Sequence, residues 1–425
     1  MKKLIPRMLE VRQSYPPSKR LDFPALLERE FARAELRAII TPGMRIAVGV
    51  GSRGISNLKE IVKVTVDLLV AAGARPFVIP AMGSHGGATP EGQAHVLAEY
   101  GVTAESMGVP IETSMEVRKI GTALGGRDVV FSVPALEADG VVAINRVKPH
   151  TDFSGPIGSG IQKMLTIGFG KQIGANNAHR AAAYLGHETV IREFSKVILG
   201  AVPVLCGVAI VEDQHHGTAD VEVLRAEEIP AAEARLLEKA RALMPRLPLE
   251  EIDLLIVDEL GKEISGTGMD TNVIGREIMG YSASLRADAP RRAPHIARIF
   301  VRGLTRVTNG NAIGIGLADF TTTRLVKAID LRATYVNSLT SIGLLAAKIP
   351  IQFESDREAI EQGLATLASS SPETLRVVRI ANTLSLDRIL VSESCAEILP
   401  EGNGLTIGGP AQEMQFDDAG NLLSF

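Results

Sequence analysis

The sequence predicts an α/β protein of two domains, each built on a mostly parallel sheet with flanking helices. Three observations carry that expectation: short runs rich in Val and Ile, helix-period segments between several of them, and a length of 425 residues, more than one hydrophobic core usually serves. The first run is "RIAVGVG" (45 to 51), and "LKEIVKVTVDLLVAAG" (58 to 73) follows it in helical phase. Its apolar positions are Leu58, Ile61, Leu68, Leu69 and Ala72, with Thr65 the one polar residue in phase. "RPFVIPAMG" (75 to 83) is the next strand, and Thr89 as N-cap with Pro90 at the first helical position marks the helix after it. "GVVAINRV" (140 to 147) and "VLCGVAIVE" (204 to 212) continue the strand set. "AAEARLLEKARALMPRLPLEE" (231 to 251) reads as a charged amphipathic helix stopped by Pro245 and Pro248, and the buried strand "IDLLIVDEL" (252 to 260) begins directly after it. The domain boundary is expected there, giving residues 1–248 and 249–425. "DRILVSES" (387 to 394) is a further strand, and the tail "MQFDDAGNLLSF" has the form of a closing hairpin.

Composition excludes several classes. Net charge is −4, with no basic patch of the kind that nucleic acid or an anionic membrane surface selects. The two cysteines, Cys206 and Cys395, are far apart, and Cys206 lies inside an apolar run, so a disulfide scaffold is excluded. The N-terminus has positive charge but no continuous apolar stretch, and no run of eighteen apolar residues follows. The expected setting is the cytoplasm, with small-molecule partners.

Gly49, Gly51 and Gly54 make a G-x-G-x-x-G spacing between a strand and a helix, the context of a dinucleotide-binding turn. The next strand ends "VIPAMGSHGG", with no Asp or Glu where a ribose 2′-OH would be held. The turn therefore reads better as a tight strand-to-helix connection. Arg53 within it lies beyond the carboxyl end of a parallel strand, where α/β proteins bind ligands, and its planar fork suits a carboxylate or phosphate.

Two histidines follow strands by similarly short loops. His85 stands in "MGSHGGATPEGQ" and His150 in "NRVKPHTDFSG", both expected at the sheet edge that carries Arg53. Imidazoles titrate near neutral pH, so a pair facing one pocket suits acid and base work. His215 and His216 read as turn residues beyond another strand, while His95, His187 and His295 fall in helical patterns without an evident partner.

Residues 157 to 180, "IGSGIQKMLTIGFGKQIGANNAHR", hold five glycines, two lysines and one histidine and no acidic residue. Glycines there permit close backbone approach and expose N–H groups to anions. Lys163 sits among Ile161, Met164 and Leu165, a setting that desolvates an amine; an ordinary surface lysine is the alternative. No cysteine accompanies His179, and the histidine spacings are not those of a zinc site.

Taken together, these residues resemble the nickel-dependent lactate racemase family, whose members use a nickel-pincer nucleotide, a pyridinium mononucleotide with two sulfur donors. The resemblance is carried by Lys163 and His179, sixteen residues apart (179 − 163), by His85 and His150, and by Arg53, in detail over about residues 45 to 180. It implies a thioamide tether at Lys163, a nickel ligand at His179, catalytic roles for His85, His150 and Arg53, and cofactor binding by Ser52, Arg53, Gly158 and Gly160. It further implies a cofactor-binding first domain, a second domain closing over the active site, and enzymes elsewhere that make the cofactor. The family's reaction moves the Cα hydride of a 2-hydroxy acid to the cofactor while a histidine takes the hydroxyl proton. One imidazole with soft sulfur donors suits square-planar Ni(II).

The sequence also departs from that pattern. Val50 stands three before Arg53 where the family's lactate enzymes carry Asp, and Gly86 follows His85 where they carry Arg. The expected substrate is therefore a larger or polyhydroxylated 2-hydroxy acid rather than lactate. In the second domain "SGTGMDTNVIGRE" offers Asp270 and Arg276 as pocket candidates, or else a glycine-rich turn capped before a helix. Two other functions remain open on sequence: an NAD(P)-type Rossmann oxidoreductase, and a non-catalytic relative that binds a nucleotide or organic acid.

Overall fold

The computed structural model describes residues 5–51, 54–151, 153–278, 294–367, 371–400, 402 and 404–425. The chain forms two compact units, Pro17–Met244 and a second made of Met1–Pro16 with Pro245–Phe425. The longer segment of the second unit begins at Pro245. Assigning all of residues 1–248 to the first unit needs correction, because Met8–Gln13 is a strand that pairs antiparallel with Arg388–Ser392 and so belongs to the second. Its mixed polarity in "MLEVRQ" hid it in the sequence.

The unit Pro17–Met244 is built on a five-stranded sheet in the order Arg75–Pro80, Arg45–Val50, Gly140–Arg146, Val204–Glu212, Thr218–Arg225. The first four run parallel and the last antiparallel. Alternation sorts their side chains onto two cores. Ala47, Phe77, Ile79, Val141, Ala143 and Ala209 face the helices that follow residue 160. Ile46, Val48, Val78, Val142, Cys206 and Val208 face the helix Leu58–Ala71 and the segment before it. Thr65 is buried in that helix, its hydroxyl donating to the Ile61 carbonyl at 2.8 Å, so its place in the apolar phase costs no unpaired donor. A two-stranded ribbon, Val117–Ala123 with Arg127–Ser132, completes the unit's strands.

The second unit carries an eight-stranded sheet, parallel across Ile351–Phe353, Phe320–Thr322, His295–Leu304, Glu251–Leu260 and Val377–Ile380. It continues antiparallel through Arg388–Ser392, Met8–Gln13 and Leu405–Ile407. His295 is thus the first residue of a strand, not part of a helix. The tail forms the expected turn, with Phe416 bridged to Leu422 and the Asp417 N–H donating to the Asn421 carbonyl at 2.8 Å. Among the described residues no helix is long and apolar enough to cross a membrane.

Candidate functional site in the N-terminal unit

Because four strands run parallel, their carboxyl ends share one edge of the sheet, and the segments after Val50, Pro80, Arg146 and Glu212 all leave from it. That is the edge at which an open α/β sheet binds ligands. Ser52 and Arg53, expected in the first of these loops, lie outside the described residues. The loop's flanks are fastened: the Gly54 N–H donates to the Tyr100 hydroxyl at 3.1 Å and the Ser56 N–H to Glu212 at 2.8 Å.

Packing accounts for two glycines of the G-x-G-x-x-G spacing. A Cβ on Gly49 would overlap the Phe169 ring, and one on Gly51 would meet the Asn145 side chain at 2.5 Å. Those close neighbours are the protein's own side chains, which removes the main support for a dinucleotide turn.

His150 is held by a closed loop. Lys148 and Ser159 exchange backbone hydrogen bonds of 2.9 and 2.8 Å at its neck, and Gly158 is required there because a Cβ would overlap the Lys148 carbonyl. Asn145 then donates to the Gly160 carbonyl at 2.9 Å. This closure brings the half-buried imidazole of His150 onto Lys163, whose Nζ is hydrogen-bonded to His150 Nε2.

Lys163 is itself on a helix, not a loop. Residues Ile161–Lys163 form one helical turn, Met164–Gly168 widens into a π-turn closed by the Phe169 N–H on the Met164 carbonyl at 2.9 Å, and Lys171–Leu185 continues as α-helix. Single π-turns are concentrated at functional positions. The glycine-rich composition serves interhelix and helix–sheet contact: a Cβ on Gly160 would meet the Glu233 carboxyl at 2.5 Å, and one on Gly168 the Ala81 carbonyl at 2.5 Å. Glu233 is fully buried and accepts the Gln162 N–H at 2.9 Å, capping the turn that carries Lys163. Burial pushes its carboxyl up to about 7, against the lowering effect of the backbone N–H groups of Gln162 and Ile161. Gln162 in turn accepts from the Ser195 hydroxyl at 3.0 Å, so a buried polar chain underlies the lysine.

His179 and His187 complete the cluster. The His150 ring stacks on Phe153 at 4.5 Å, Phe153 on His187 at 5.3 Å, and His187 meets His179 edge-on at 5.7 Å, with His150 and His187 6.2 Å apart. His187, read from sequence as having no partner, is therefore at the centre of the imidazole group. It begins the helix His187–Ala201 and leads a stripe of Val190, Ile191, Phe194 and Ile198. Its position at the head of an apolar stripe is the signal that could have found it.

His85 lies in a neighbouring loop after Pro80. The Gly83 N–H donates to the Gly168 carbonyl at 3.2 Å, which brings the loop against the π-turn beyond Lys163. Asp270 and Arg276, in the other unit, hold structural positions. Asp270 caps the helix Thr271–Ile274 by accepting from Asn272 at 2.9 Å, and Arg276 makes a two-pronged pair with Asp319 at 3.1 and 2.6 Å.

Among the described residues no group of three His, Cys, Asp or Glu side chains is arranged to hold a metal ion. The cluster does offer an amine and an imidazole joined through two further imidazoles and Phe153. That donor set fits a metal that takes one imidazole from the chain and its other donors from a group attached to the chain.

Residues 9–188 match the family described as Lactate racemase N-terminal domain. Among solved structures, the chain is similar to the lactate racemase apoprotein from Thermoanaerobacterium thermosaccharolyticum, at a TM-score of 0.52 and 14% identity, covering 89% of this chain and 99% of that one. It is also similar to a protein from Thermotoga maritima, at a TM-score of 0.49 and 12% identity, covering 78% and 84% of the two chains. No curated protein matches the sequence. The first likeness agrees with the mixed α/β architecture of mostly parallel sheets.

Proposed function

On the match of residues 9–188 to the lactate racemase N-terminal domain family, we propose that the protein is a racemase or 2-epimerase of an α-hydroxy acid, working with a nickel-pincer nucleotide. The observation that carries the reading is the convergence of Lys163, His150, His187 and His179 at the carboxyl edge of a parallel sheet. When bound, such a cofactor supplies an acceptor and donor for the Cα hydride of the substrate.

The chain's own residues then divide the remaining work. Lys163 provides the only kind of group that can form a thioamide tether, a primary amine, and acylation would end its charge and release its hold on His150. His179 contributes one imidazole to the nickel. His150 and His85 take the hydroxyl proton from one enantiomer and return it to the other, each within the usual scope of general acid and base catalysis. Arg53 pairs with the substrate carboxylate and Ser52 borders the nucleotide, while Gly158 and Gly160, whose Cβ positions are filled by Lys148 and Glu233, offer it backbone only. Of the glycines beside His85, Gly86 packs against the Gly92 backbone, and the open space at Gly87 leaves room for a 2-hydroxy acid larger than lactate. Enzymes that make the cofactor are the required partners.

Metal and mass analysis tests this. The protein is expressed with and without the cofactor's biosynthetic enzymes. Stoichiometric nickel with a covalent adduct, both appearing only with those enzymes, is the expected result. Tight NAD binding with neither nickel nor adduct would replace the proposal with an oxidoreductase.

A further inference from the structure

The segment from Pro80 to His85 leaves its strand with three carbonyls directed at two buried side chains. Lys171 Nζ donates to the Pro80 carbonyl at 2.6 Å and to Gln93 Oε1 at 3.1 Å. Gln93 Nε2 donates onward to the Gly83 carbonyl at 2.9 Å and to the His85 carbonyl at 3.3 Å. Lys171 is 1% exposed and Gln93 fully buried. Both of these acceptors are neutral. A buried cation without a carboxylate is costly, and an apolar side chain of similar length would fill the space without that penalty.

The backbone adds to the cost. Lys171 has φ of 53°, a left-handed conformation that strongly favours glycine. It is also the first residue of Lys171–Leu185, the helix that carries His179. One residue thus begins the His179 helix and, through its amine, holds the loop that carries His85. Burial lowers the Lys171 amine to about 8, consistent with an amine that gains its hydrogen bonds without a counter-ion.

We propose that Lys171 and Gln93 form a strut that positions His85 relative to the helix bearing His179. Lys171 is in this sense a positioning residue, and its catalytic consequence rests on the assignment of His85 made above. Displacement of a reacting group by about 1 Å is enough to cost on the order of 10²-fold in rate, so loosening the strut is expressed in kcat more than in KM.

The test uses the full chain with ¹³C,¹⁵N-labelled histidine, the His85 ring signal being assigned by its loss in His85→Asn. Lys171→Met and Gln93→Leu are each expected to move the His85 ring resonances while leaving those of His95, His215 and His216 in place. In the cofactor-loaded enzyme both variants should retain adduct and nickel, lose roughly 10-fold or more in kcat with KM little changed, and combine without adding, since both act through one loop. Gln93→Leu serves alone if Lys171→Met does not fold. Unmoved His85 resonances in a folded variant would overturn the strut. Moved resonances with unchanged kcat would sustain the strut and overturn the role of His85.

Discussion

Lys163 Nζ and His150 Nε2 are hydrogen-bonded to each other across thirteen residues of sequence. The contact joins a strand-end loop to a one-turn helix, and it depends on the Lys148–Ser159 neck on one side and on the Glu233 cap on the other. It makes the proposed tether residue and one proposed acid/base residue a single unit before any cofactor chemistry is considered.

Lys163→Ala is expected to abolish covalent attachment, because no other group at that position forms a thioamide. Intact-mass spectra of protein produced with the biosynthetic enzymes should show an adduct on the wild type and none on the variant. An adduct that survives would move the tether to another lysine.

His179→Ala should keep the organic adduct and lose most of the nickel, since the chain's own donor is removed. Metal analysis beside intact mass separates the two. Full nickel occupancy in the variant would exclude His179 as a ligand.

His85→Ala and His150→Ala should retain both cofactor and nickel, yet lose turnover by on the order of 10²-fold or more, the usual scale of a general acid or base. Near-normal turnover in either variant would remove that residue from its role.

Glu233 gives a pH signature independent of activity. Its folded carboxyl is raised to about 7 from an ordinary 4.5, so the native state binds the proton more tightly than the unfolded chain does. Stability from this group is therefore complete below the unfolded value and is lost as pH rises through the folded one, by about 3 kcal/mol across the window. Urea unfolding at pH 4.5 to 8 should show wild type losing ground to Glu233→Gln as pH rises. A pH-independent difference between the two would show that burial does not raise this carboxyl.

Much of the fold was legible because buried parallel strands read as continuous Val and Ile runs, and six such runs match strands of the two sheets. The strand Met8–Gln13 was not, since its polar residues alternate weakly and its partner lies near the other end of the chain. At the site, motif order pointed to Lys163, His179, His85 and His150, and the structure brings three of these into one cluster with His187. What the motif reading passed over shares one form: a polar residue in phase with a buried helical stripe. Glu233 precedes Leu236, Leu237 and Ala240, Lys171 precedes Gly174, Ala175 and Ala178, and His187 leads its own stripe. The glycines of residues 157 to 180, by contrast, were read as room for a ligand, and at Gly160 and Gly168 the space is taken by Glu233 and the Ala81 carbonyl. Composition cannot tell these uses apart, because both demand the absence of a Cβ.

Reaction of a panel of 2-hydroxy acids in D₂O, read by NMR and chiral separation, most directly tests whether the protein inverts its substrate by hydride transfer. The expected result is inversion of a substrate larger than lactate with the Cα hydrogen retained, since a hydride that leaves and returns within the site does not meet solvent. Extensive deuteration at Cα would contradict this, because it would mean that histidines abstract the Cα hydrogen as a proton and exchange it with water.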